Sequence, residues 1–348
     1  MSPLMFDPDE RPPQDTHQIV VFFAVAVIVL GALLIFARFA SGEEVEYALD
    51  PTAVPQGGPG AEAPPAESAI EAQPAIELVE APPVSAPAAS LPVPSVVPTA
   101  LPPPVSASAY AIVERSCGAL LFGVNEHERL PPASLTKIMT ALVVGKYPEH
   151  RRDKADVTVS GSAMAKRGSS VMGLEPGMNV NVEDLLYGLM LPSGNDAALT
   201  LASYFGHGNV QSFIDAMNEE TAALGLTNTH FANPHGLDAA DHYSSPYDMA
   251  MMGGALLNDP YLAGISNEPR YKVGDITLKN GNKLLQQYPG AFGVKIGYTE
   301  KANQTIVAAA DHGGRQLIIS VFGSDNRYVD TAALLDWAFA NLPYGCNP

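Results

Sequence analysis

Residues 131–143 read PPASLTKIMTALV. After the two prolines, apolar side chains recur at Leu135, Ile138, Met139, Leu142 and Val143, the mixed three- and four-residue spacing of a helix. On a helix opening at Ser134, Ser134 and Lys137 share one face a turn apart, within hydrogen-bond reach. A serine hydroxyl is a weak nucleophile that needs a base beside it, and a lysine serves once burial or a second cation lowers its pKa. The apolar neighbours offer that burial, and the first amides of a helix point toward a developing oxyanion. S-x-x-K is also ordinary surface chemistry, yet Lys137 is the one lysine in the chain with a serine three positions earlier.

Further along, Ser193–Gly194–Asn195 breaks two helical stretches, and Lys295–Ile296–Gly297 enters a strand-like run. Neither motif is specific alone, since Ser324–Asp325–Asn326, Lys272–Val273–Gly274 and Lys279–Asn280–Gly281 match the same patterns. Order and context select the Ser193 and Lys295 copies. Around them, Tyr110–Glu114 and Ala119–Val124 read as a hairpin, and helical runs follow at 182–191, 195–204, 210–224 and 246–257. Strand-like runs return at 293–298, 304–310 and 316–322 before a last helix over about 328–342. A strand pair, a helical middle, three strands and a helix predict an α/β (α+β) fold, a mixed sheet flanked by helices.

With nucleophile, base, S-x-N and K-x-G in this order, the chain resembles the serine D-Ala-D-Ala carboxypeptidases, the low-molecular-mass penicillin-binding proteins of peptidase family S11. The likeness extends through GSSVMGLEPGMNVNVEDLLYGLMLPSGNDAA (168–198), NPHGLDAADHYSSPYDMA (233–250) and YPGAFGVKIGYT (288–299). The resemblance implies a penicillin-binding-protein-like fold and no cofactor or metal. It implies that Ser134 attacks the penultimate D-Ala carbonyl to form an acyl-enzyme, that Lys137 takes its proton, and that Ser193 and Asn195 relay the proton and hold the substrate amide. It further implies that Lys295, Gly297 and Arg327 bind the substrate end, with the amides of Ser134 and Tyr298 as oxyanion donors. The implied partners are peptidoglycan stem peptides ending in D-Ala-D-Ala, and β-lactams as covalent inhibitors.

The third motif departs from the family pattern, which usually has Thr or Ser where Ile296 stands, so a hydroxyl toward the substrate carboxylate is lost. That leaves a catalytically weakened peptidoglycan-binding scaffold as an alternative. A β-lactamase shares fold and motifs, but no E-x-x-L-N lies between Asn195 and Lys295. His230, His235 and His242, with Asp238 and Asp241, fit no common zinc spacing and read as a structural loop.

Residues 1–106 have a different composition. Ile19–Ala37 is 19 apolar residues without a charge, long enough to cross a bilayer as a helix, and the small residues of a signal-peptidase site are missing near Ala40. From 41 to 106 there are many prolines and alanines, acidic residues and no Lys or Arg, which predicts a disordered linker. A flexible coil of that length reaches about 45 Å. The expected order is therefore a cytoplasmic tail (1–18), an anchor in the cytoplasmic membrane (19–40), a linker (41–106) and a catalytic domain (107–348). Flanking charge does not orient the span, because Arg11 and Arg38 balance; a substrate outside the membrane does, with the N-terminus in the cytoplasm. Most of the net charge of −18 belongs to the tail and linker, and without a basic footprint nucleic acid is excluded as a partner. Cys117 and Cys346 are either one disulfide or two separate thiols.

Overall fold

The computed structural model describes residues 98–346. Along the chain come β1 (Ala109–Glu114), β2 (Leu120–Val124), α1 (Lys137–Gly145), β3 (Lys154–Asp156), α2 (Gly161–Lys166), β4 (Asn179–Asn181), α3 (Val182–Met190), α4 (Asn195–Phe205) and α5 (Val210–Ala223). They are followed by α6 (Pro246–Asn258), α7 (Pro260–Asn267), β5 (Arg270–Val273), β6 (Ile276–Lys279), α8 (Leu284–Gln287), β7 (Ala291–Thr299), β8 (Asn303–His312), β9 (Arg315–Ser324) and α9 (Arg327–Asn341).

Five strands form one sheet in the order β2-β1-β9-β8-β7, and every pairing in it is antiparallel. The alternation of side chains across a strand divides its residues between two cores. Val113, Val307, Ala309 and Ile318 pack under the helical layer of α1 and α3–α7. Ile112, Ile306, Ala308, Ile319 and Val321 pack under α9 with Leu334, Leu335 and Trp337. Strands covered on both faces read as near-continuous apolar runs, which is why β8 and β9 stand out in sequence. The first hairpin and the larger helices lie where periodicity puts them. The unexpected elements are short: β3, α2, β4 and α8, with α7, capped by Asp259 and opened by Pro260, and the β5–β6 hairpin turning at Gly274.

Two expectations concern residues 1–106. Residues 98–106, expected within the disordered linker, lie against α9: the Thr99 amide donates to Asn341 O (3.1 Å) and Trp337 Nε1 to Ala100 O (3.1 Å). The Trp337 indole N–H and a helix-end carbonyl supply partners that composition does not register, so the folded part starts by residue 98 rather than 107. The expected membrane span lies outside the described residues, and no described helix is long and apolar enough to cross a membrane.

Cys117 and Cys346 are joined in a disulfide, tying the β1–β2 turn to the C-terminal segment. Beneath it the buried Glu114 carboxylate accepts from Arg315 Nε and Nη2 at 3.1 and 3.0 Å.

Candidate active site

Ser134 lies in a 3-10 turn, Ala133–Thr136, that runs directly into α1. Ala133 adopts φ 50°, a left-handed conformation that costs a non-glycine residue about 1 kcal/mol or more. The cost is met by what closes over the turn: Gly236, at φ 92°, lies so near that a side chain there would collide with Ala133 O. Thr136 Oγ1 bonds His242 Nε2 (2.9 Å), and Thr140 Oγ1 donates to Pro234 O (2.6 Å), fastening the 233–242 loop to α1.

Lys137, on the first turn of α1, is fully buried. Its Nζ lies 2.9 Å from Ser134 Oγ, 2.7 Å from Asn195 Oδ1 and 2.7 Å from His235 O. Burial, and then the charge of Lys295, push its pKa well below the usual lysine range, while Asp196 acts in the opposite direction. A lysine held short of full protonation beside a serine hydroxyl is equipped to accept that proton. His235, down to about 3 through burial and the proximity of Lys137, is neutral at ordinary pH.

Asn195 opens α4, and the preceding Ser193 has φ 65° with its buried Oγ lacking a protein partner among the described residues. An unsatisfied buried hydroxyl is costly, which makes Ser193 a group waiting for a ligand or a proton rather than a packing element. From β7, Lys295 is also buried; its Nζ donates to Ile296 O (3.1 Å), and burial followed by the Arg327 charge lowers its pKa to about 7. The register pairs Lys295 with Val307 and Gly297 with Thr305, so both face the helical layer; Ile296 pairs with Ile306 and faces the α9 core.

Arg327 begins α9. Its Nη1 donates to Gly297 O and to Thr305 O (2.9 Å), and its Nε to Gln304 Oε1 (3.1 Å). Tyr298 is exposed at the cleft mouth. Ser134, Ser170, Ser193, Ile296, Tyr298 and Arg327 line a cleft of about 220 Å³. A larger cavity, about 350 Å³, opens beside the Cys117 hairpin and shares no residue with this site; the Ser134–Lys137 contact selects the smaller cleft.

All eight sequence-predicted residues are thus drawn to one place, Lys137, Asn195 and Lys295 just beneath its surface. Sequence reasoning passed over Asp196. Its buried carboxylate accepts the amides of Met172, Gly173 and Leu174, each at 2.9 Å, and holds the 168–174 wall of the cleft. An acidic residue in a helix's first turn was the available signal, but it points equally to ordinary capping. The three histidines are engaged by the fold: His230 Nδ1 with Asp241 O, His235 Nδ1 with the Leu237 amide, and His242 with Thr136 and the Ala232 amide.

Comparison with known proteins agrees with this geometry. The D-alanyl-D-alanine carboxypeptidase family model, Peptidase S11, matches residues 97–326. The chain is 36% identical over 243 residues to the D-alanyl-D-alanine carboxypeptidase DacF of Bacillus subtilis, covering 67% of this chain and 62% of that protein. It is 39% identical over 249 residues to DacA of Escherichia coli, covering 68% and 62%. The crystal structure of the Streptomyces K15 DD-transpeptidase superposes with a TM-score of 0.66 at 31% identity, over 69% of this chain and all of that one. The chain spans about 62% of the length of the two curated relatives named. A family model matched over most of the chain, on a fold that gathers the same motifs around one serine, places this protein in the D-alanyl-D-alanine carboxypeptidase family.

Proposed function

We propose that the protein is a membrane-anchored serine D-Ala-D-Ala carboxypeptidase that trims peptidoglycan stem peptides. The observation that carries this reading is the 2.9 Å contact between Ser134 Oγ and the buried Nζ of Lys137. Lys137 takes the Ser134 proton as Oγ attacks the penultimate D-Ala carbonyl, and the amides of Ser134 and Tyr298 receive the oxyanion. The proton passes by way of Ser193, whose hydroxyl is free to relay it, to the departing nitrogen, and D-Ala leaves. Water then attacks the ester with Lys137 as base and regenerates the serine. Asn195 holds the substrate amide, while Lys295 and Arg327 draw the terminal carboxylate. A β-lactam follows the same first step and remains as the acyl-enzyme.

We place residues 1–18 in the cytoplasm, the span over 19–40 in the membrane and the catalytic domain outside. The apolar run Ile19–Ala37 supports the anchor, and the Cys117–Cys346 bridge fits an oxidising compartment. The test is fluorescent-penicillin labelling together with D-Ala release from a peptide ending in D-Ala-D-Ala. Wild type should label and release, and folded Ser134→Ala should do neither. A folded wild type that does neither would favour the scaffold alternative raised by Ile296.

A further inference from the structure

We propose that Asp330, joined to Ser106 at the end of the proline-rich segment, is a positioning residue for Arg327. The segment runs antiparallel to α9, from Thr99 beside Asn341 to Ser106 beside Asp330. At that end the buried Asp330 carboxylate accepts from Ser106 Oγ and Ser324 Oγ, both at 2.6 Å, and from the Ser106 amide at 3.2 Å. Among the described residues no Lys, Arg or His forms an ion pair with it. A buried carboxylate served only by neutral donors is costly to keep and is held by geometry.

The same two serines secure the loop that leads into Arg327. Ser324 Oγ accepts the Asn326 amide and Ser106 Oγ accepts the Asp325 amide, both at 3.0 Å. Arg327 thus leaves a backbone fixed on one side by these bonds and, one turn later, by Asp330 itself. Its guanidinium then ties β7 to β8 through Gly297 O and Thr305 O. A continuous chain of bonds runs from Ser106 to the strand that abuts the Ser134 turn. Loss of the Asp330 charge frees the 324–326 loop and misplaces the guanidinium, and chemistry at Ser134 is touched only through that displacement.

This inference rests on the reading above, in which Arg327 faces the substrate carboxylate. The experiment uses the full chain in detergent. Asp330→Asn keeps the side-chain shape and removes the charge. KM for a D-Ala-D-Ala peptide is expected to rise about three- to tenfold with kcat within about twofold, the pattern of lost substrate binding. Ser106→Ala should move KM in the same direction and Ser106→Thr should restore it. In an Arg327→Ala background Asp330→Asn should add less than about twofold, because coupled residues are not additive. Hydrogen exchange should quicken in both the 324–330 and the 297–305 segments of Asp330→Asn. Losses that are additive with Arg327→Ala, a fall in kcat alone, or exchange confined to α9 would overturn the proposal. Release of D-Ala by Ser134→Ala would sink the reading instead; the exchange pattern, which needs no activity, still decides the coupling.

Discussion

Gly297 faces the backbone amide of Ser134 so closely that a methyl group on it would lie 2.8 Å from that nitrogen and 2.5 Å from Thr305 Oγ1. Edge strand and nucleophile turn therefore meet backbone to backbone. Gly297→Ala must push β7 away from the turn or tilt the turn itself, and either displaces the Ser134 and Tyr298 amides from the proposed oxyanion position. Loss of one oxyanion donor costs about a hundred- to a thousandfold in rate, and penicillin acylation of this variant should fall within that range. An unchanged acylation rate would show that the close approach is not needed.

Lys295 gives the site a pH dependence with a definite sign. Its pKa is lowered to about 7, so the free enzyme carries this cation below pH 7 and loses it above. Affinity for a carboxylate-ended substrate should therefore weaken as pH rises from 6 to 9, seen as a rising KM. Lys295→Met should abolish that rise as well as weaken binding. A wild-type KM that is flat across this window would assign the carboxylate to Arg327 alone.

Ile296→Thr supplies the hydroxyl that the family resemblance leads one to expect at this position. A hydrogen bond to a charged partner is worth about 1.5–3 kcal/mol at best. Ile296, however, pairs with Ile306 and packs into the α9 core, so threonine also forfeits apolar contact there. The net expectation is a gain of about three- to thirtyfold in kcat/KM, with a Tm lower by a few degrees. Steady-state kinetics and thermal melting on the same sample test both; no gain in a folded variant would mean the isoleucine is no defect.

The Cys117–Cys346 disulfide closes a loop with a sequence separation of 229 residues. Removing a cross-link over so long a loop costs about 2–5 kcal/mol through the unfolded chain's entropy. The Cys117→Ser/Cys346→Ser pair should unfold at lower denaturant with its penicillin acylation rate retained, since the bridge lies outside the Ser134 cleft. An acylation rate that falls with stability would mean that the bridge shapes the site.

The proposed nucleophile and base were legible because they are local. Ser134 lies in a 3-10 turn ahead of α1 rather than in the helix expected to open there, but side chains three residues apart share a face in either, so Ser134 and Lys137 needed only the apolar spacing around them. Strands β8 and β9 were legible for a similar reason, as burial on both faces writes itself into a continuous apolar run. The short α7 and the β5–β6 hairpin were not, because eight and four residues hold too few periods to separate from loop. Ser193 and Lys295 needed family order, since three-residue motifs recur by chance along a chain of 348 residues.

The sequence by itself determined which side chains can do chemistry, where the main helices and strands begin, and that a long apolar run and an acidic, proline-rich stretch precede them. Only the tertiary structure decided that Gly297 touches Ser134, that Asp196 holds the cleft wall, that Cys117 reaches Cys346, and that Ser106 belongs to the folded part through Asp330. The physical reason is range. Periodicity and capping are set by neighbours a turn away, whereas these contacts join residues 22 to 229 positions apart. Their partners are chosen when the two faces of one sheet are buried together.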